Sequence, residues 1–201
     1  MSGQCPVLLP WIPLIAPRGT PSTPSESPDV VRCGRSSARR CEMPSKVDQI
    51  HTIGLMAAHE AGIADLYRAY AERLPEHREF LEGLADDEVG HARQIAGLAE
   101  WVKAGLVHVN PGRFNEQSIL SSLDFVRERV QEVKKAGVSP LAAFATGADI
   151  ENAMIEKKFF EIFESDEAAL EQLLRALAAV TSLHRRKLME ALEKERGRGG
   201  R

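Results

Sequence analysis

Apolar residues recur three and four positions apart along residues 81–98, where Leu81, Leu84, Ile95 and Leu98 form one helical stripe. Glu88 and His91 occupy two positions of that same stripe. Four more stretches carry the same period. Ile53, Met56, Ile63, Tyr67 and Tyr70 form a stripe around Glu60, and Ile119, Leu123, Val126, Val130 and Val133 form one with no polar member. Phe144, Ala148, Ile155, Phe159 and Ile162 surround Glu151, while Leu173, Leu177, Leu188 and Leu192 surround Thr181 and His184. No stretch shows the strict alternation of a half-buried strand, so the pattern predicts an all-α protein.

The residues between the stripes fit helix ends. Ser45 with Asp48 three residues on is a capping-box start. Leu74-Pro75 is a tight turn with Pro75 at a first helical position, and the second helix runs to about Gly105. Asn110-Pro111-Gly112 breaks the chain before the unmixed stripe, which Gly137 ends. Ser139-Pro140 starts the third core helix, and Ser165-Asp166 turns the chain into the fourth. So short a turn at Pro75 makes the first two helices antiparallel neighbours. Glu60 and Glu88 each lie 14 residues from Leu74. At 1.5 Å per residue both stand roughly 21 Å from the turn, at one height. The same reasoning, with a turn at Ser165, pairs Glu151 with His184. The segment from Leu106 to Val138 then reads as a long helical crossover, with its charged residues 127–129 and 134–135 on a solvated face.

The chain also repeats itself. Residues 84–95, LADDEVGHARQI, align without gaps to residues 177–188, LAAVTSLHRRKL, at an offset of 93. Leu84, Ala85, His91 and Arg93 meet Leu177, Ala178, His184 and Arg186, but Glu88 meets Thr181. Glu60 and Glu151 correspond at an offset of 91. Two copies of a helical hairpin closing into one bundle explain this spacing.

Carboxylates on core stripes need a partner, because stripping water from an unpaired charge costs several kcal/mol or more. Glu88 and His91, three apart on a helix, point to one spot. Three carboxylates and two imidazoles meeting in a helical core suit Fe(II) or Mn(II) better than Zn or Cu. Two plainer readings use the same residues. The acids pair with His91, His184 or a buried Arg such as Arg93, or the bundle keeps its fold with a decayed site and serves a binding or structural role.

From about Val47 to Leu192 the chain resembles the rubrerythrin-like branch of the ferritin-like di-iron carboxylate proteins. That family carries one Glu on each of the first and third helices and Glu-x-x-His on the second and fourth. Glu60, Glu88, His91, Glu151 and His184 match five of those six positions, and Thr181 departs at the sixth. Tyr67, two turns after Glu60, also resembles the family's first helix. The resemblance implies a ferritin-like four-helix bundle with a long helical crossover between its second and third helices. It implies iron at Glu60, Glu88, His91, Glu151 and His184, with manganese as the alternative, and oxidoreductase chemistry on peroxide, oxygen or Fe(II). With three glutamates against two divalent ions, one metal is expected to bind well and a second weakly or through water.

Composition narrows the partners. Formal net charge is −3, with no basic bias toward nucleic acid. Residues 1–45 hold most of the proline and all three cysteines, Cys5, Cys33 and Cys41. That segment is expected to be a disordered extension, with Met43 as the starting residue, followed by a helical domain over 46–196 and a disordered tail over 197–201. Leu8–Ile15 is short and broken by Pro10 and Pro13, which argues against a membrane span or a secretory signal and for a cytoplasmic protein. The three cysteines contain no Cys-x-x-Cys pair, so redox turnover here requires an external electron donor. Homo-oligomers are compatible with this reading.

Overall fold

The capping box at Ser45 forms as its spacing predicts: Ser45 Oγ accepts from the Asp48 N–H at 3.2 Å, and Asp48 Oδ2 accepts from the Ser45 N–H at 3.2 Å. From there the computed structural model describes residues 44–110, 116–156 and 160–199. All of these fall in one unit that starts at Glu42. The expected N-terminal extension lies outside the described residues.

Helix α1 spans Lys46–Arg73, and a single 3-10 turn at Pro75–His77 passes the chain to α2, Arg78–Ala104. Gly105 closes α2 with φ 77°, a left-handed conformation in which a side chain would strain the backbone. Helix α3 is Glu116–Ala136, α4 is Pro140–Glu156 and α5 is Ala168–Gly199. Ser139 caps α4, its Oγ accepting from the Ala142 N–H at 3.2 Å. Helices α1 and α2 pack along their length, as do α4 and α5, and α3 lies against α1. The five apolar residues of the α3 stripe, Ile119 to Val133, are all buried. Among the described residues, no helix is long and apolar enough to cross a membrane.

The two hairpins meet through large side chains around α4. Phe144 takes His77 edge-on at 4.9 Å and Phe80 at 5.9 Å between ring centroids. Gly147 marks the closest approach. A Cβ there would stand 3.2 Å from both Leu188 methyls and from the Tyr67 ring, tighter than ordinary contact. Glycine therefore lets α4 settle onto α1 and α5 together.

Three expectations need correction. The third core helix ends at Glu156 and does not run through Ile162. Phe160, Ile162 and Phe163 are all buried. The chain instead pairs β2, Phe163–Glu164, antiparallel to β1, His108–Val109, and the Asn110 N–H donates to Ile162 O at 2.8 Å. Ile155, expected inward, is 38% exposed, because Met154 takes the buried place one turn after Glu151. At the other end, α5 reaches Gly199, past the expected boundary at 196, its last turns carrying Glu193–Arg196 and Glu195–Arg198 pairs of 2.6 Å. Phe159, expected on the α4 stripe, lies outside the described residues.

Candidate metal centre

Glu60 comes from α1, Glu88 and His91 from α2, Glu151 from α4 and His184 from α5, and each is at most 2% exposed. The five residues predicted from spacing therefore all face inward. They form two overlapping groups, Glu60–Glu88–His91 and Glu88–Glu151–His184, and in each group one ligand atom per residue lies within 4.8 Å of the others.

Glu88 belongs to both groups, and its two oxygens divide between them. His91 Nδ1 donates to Glu88 Oε2 at 2.9 Å, and His184 Nδ1 donates to Glu88 Oε1 at 2.7 Å. The imidazole rings lie roughly parallel, 5.7 Å apart, with Glu88 reaching both. Burial pushes the Glu88 carboxyl up, but hydrogen bonds from His184 and His91 outweigh it and hold the group well below the usual carboxylate range. Glu88 is the anion of the site.

The other two acids sit in the opposite electrostatic situation. Burial, then the Glu88 charge, raises Glu151 to about 8, opposed by His184 and Tyr67. Its Oε1 accepts the Tyr67 hydroxyl at 2.7 Å and stands 3.8 Å from His184 Nδ1. Burial and the charges of Glu151 and Glu88 keep the Tyr67 hydroxyl protonated far above its ordinary range, so it remains a donor. Glu60 is fully buried, and neither of its oxygens accepts a hydrogen bond. The His91 Nδ1 stands 3.9 Å away. Burial, then the charge of Glu88 and a hydrogen bond with it, then the charge of Glu151, raises its pKa well above the ordinary carboxylate value.

One residue of the site escaped the periodicity. Asp87 Oδ2 accepts from His184 Nε2 at 3.1 Å, so His184 is held on one side by Asp87 and on the other by Glu88. Burial would lower the His184 pKa, but the Asp87 and Glu88 hydrogen bonds overcome it and raise it to about 9. A carboxylate on the outer ring nitrogen fixes the imidazole so that Nδ1 faces the cluster, the arrangement that orients metal-binding histidines. Asp87 is next to Glu88 and so points about 100° away from the buried stripe, with its side chain 44% exposed. The signal in the sequence is its adjacency to Glu88; only the height of His184 on another helix turns that into a contact. His91 has no such support from the second hairpin, where Val180 corresponds to Asp87.

Thr181 is buried like the site residues, but its hydroxyl donates to Leu177 O on its own helix at 3.1 Å. The pairing of acids with histidines that the sequence also allowed is present for Glu88. It does not extend to Arg93, which is exposed, and it leaves the Glu60 oxygens without a donor from either histidine. An orphaned carboxyl costs roughly 1–3 kcal/mol, and a cation between Glu60, Glu88 and His91 would offset it. The donor set therefore fits a hard or borderline divalent ion. Compared with known proteins, the chain matches no family model, no curated protein and no solved structure.

Proposed function

We propose that the chain is a ferritin-like bundle of the rubrerythrin kind that binds non-haem iron at Glu60, Glu88, His91, Glu151 and His184. Manganese is the alternative ion, with one or two ions per chain. The activity is that of an oxidoreductase acting on peroxide, oxygen or Fe(II), with electrons from a separate protein. The observation that carries the reading is Glu60, a fully buried acid whose oxygens accept no hydrogen bond, set beside a second acid and an imidazole. Within the cluster Glu60 meets the Glu88 carboxyl, which raises its pKa and leaves its own charge without a compensating donor.

The chain's own groups then have distinct tasks. Glu88, shared by both groups, would serve both halves, Glu60 and Glu151 would serve one each, and His91 and His184 would bind through Nδ1 once the protons now given to Glu88 have left. Tyr67 holds Glu151 in place, and Asp87 holds His184. The burial of all five donors excludes bulk water and strengthens every charge interaction between them. Bound Fe(II) would supply Lewis acidity and electrons at this place. The described residues contain no cysteine, so no thiolate redox group lies within the helical unit.

Thr181 favours a second reading, in which a reduced site binds metal without turnover and serves a binding or structural role. Peroxide consumption by the Fe(II)-loaded protein with an external reductant separates the two. The proposed activity predicts a rate at least about tenfold above that of the Glu88→Ala protein under the same loading, in line with the loss expected for one acid–base or metal group. Equal rates from both proteins contradict the oxidoreductase reading.

A further inference from the structure

The two halves of the site differ in where their negative charge comes from, and the difference has consequences for a third component. Glu88 spends one oxygen on each half, so it has no further oxygen to offer as a second link between them. The corresponding position on α5 is Thr181, a neutral side chain whose hydroxyl is committed to the Leu177 carbonyl at 3.1 Å. Each group of donors thus contains three residues, two of them acids, with one acid shared. Divalent iron, manganese and cobalt accept up to six ligands, so three protein donors leave coordination positions to fill. The charges do not close either. Glu60, Glu88 and Glu151 are the three buried carboxylates of the cluster, against the four positive charges of two divalent ions, since Asp87 behind His184 is 44% exposed and screened by solvent. An unbalanced charge surrounded by buried apolar residues is costly, and a monoanion removes it.

We infer that the cluster takes a small carboxylate-like monoanion, of formate or acetate size, together with its second cation, at the side where Thr181 stands in place of an acid. The inference rests on the metal-binding reading above. A two-oxygen anion is favoured over a single-atom one such as chloride because Glu88, the link present, serves the two halves with separate oxygens. The fully buried Glu60 carboxyl, whose oxygens accept no hydrogen bond, marks a donor kept for a cation that the protein itself does not provide.

The test is a titration of the full chain with Co(II), followed by its visible absorption and by equilibrium dialysis. It is run in a chloride buffer free of carboxylates and carbonate, with and without formate. The expected result is one tightly bound cation in chloride and a second that binds about tenfold more tightly once formate reaches ten times its dissociation constant. Thr181→Glu is expected to bind two cations with no dependence on formate. Thr181→Gln, which supplies the shape of the acid without its charge, is expected to lose the formate effect without gaining the second cation. Two cations bound equally well with and without formate overturn the inference and leave the metal site standing. A formate effect of unchanged size in both variants overturns it as well. No cation bound under any condition overturns the metal-binding reading itself, and the inference with it.

Discussion

The α1–α2 hairpin and the α4–α5 hairpin present the same pattern to the core but divide the work unequally. On α2, Glu88 stays ionised and collects hydrogen bonds from both histidines, while its neighbour Asp87 supports the histidine of the other hairpin. On α5, Thr181 turns its hydroxyl back to its own helix, and His184 draws both of its partners from α2. The second half of the site is therefore organised by a residue pair of the first. Two hairpins with related core stripes can therefore carry unequal shares of the electrostatics.

The sharpest way to break that comparison is Glu88→Ala. It removes the shared acid and leaves two buried imidazoles without their partner, so both halves should fail together. We expect loss of all cation binding and a fall in unfolding free energy of about 3–5 kcal/mol, the cost of breaking a buried pair from one side. Urea denaturation and metal dialysis of the variant check this. Retention of one cation would show that the halves are independent.

Asp87→Asn should act on one half only. Removing the charge behind His184 is expected to weaken the cation between Glu88, Glu151 and His184 by about 10–100-fold, the usual size of such an outer-shell effect. The cation held by Glu60, Glu88 and His91 should bind as before. Isothermal titration with Mn(II) separates the two, and equal weakening of both would contradict the division drawn here.

Glu60→Met should reverse the usual sign of a core substitution. The acid it removes is buried and its oxygens accept no hydrogen bond, so the metal-free protein is expected to gain about 1–3 kcal/mol, while its cation affinity falls. A destabilised metal-free variant would mean that Glu60 has a structural partner. The same groups set the pH slope of metal-free stability. Glu151, raised to about 8, contributes stability below its ordinary 4.5 that is lost as pH climbs to 8. His184, raised from 6.5 to about 9, contributes stability below 6.5 that is lost as pH passes 9. Glu88, lowered, contributes above 4.5 and loses that contribution only in acid. Metal-free stability should thus decline from about pH 5 to 9, whereas cation binding tightens over the same range as the ligands lose protons.

Much of this arrangement was legible in the spacing of residues. The 3-4 stripes and the equal distances of Glu60 and Glu88 from Leu74 located the first half of the site, and the repeat located His184. The second half was reached by an argument that was partly unsound. The turn after Glu151 was counted along a helix through Ile162, but Phe163–Glu164 pair with β1 instead. Glu151 and His184 still meet because packing at Gly147 and Phe144, not the length of a turn, sets the height of α4. Asp87 and the Tyr67–Glu151 hydrogen bond belong to contacts between helices far apart in sequence, to which periodicity on a single helix is blind.

The central claim is that buried acids and imidazoles from two hairpins are held together for a divalent cation. The most direct measurement is the metal content of the full-length protein after anaerobic dialysis against Fe(II) or Mn(II), read by elemental analysis beside the Glu60→Met and Glu88→Ala proteins. The account predicts between one and two ions per chain, fewer in Glu60→Met and none in Glu88→Ala. No bound metal in the unaltered protein, or the same content in all three, would contradict it.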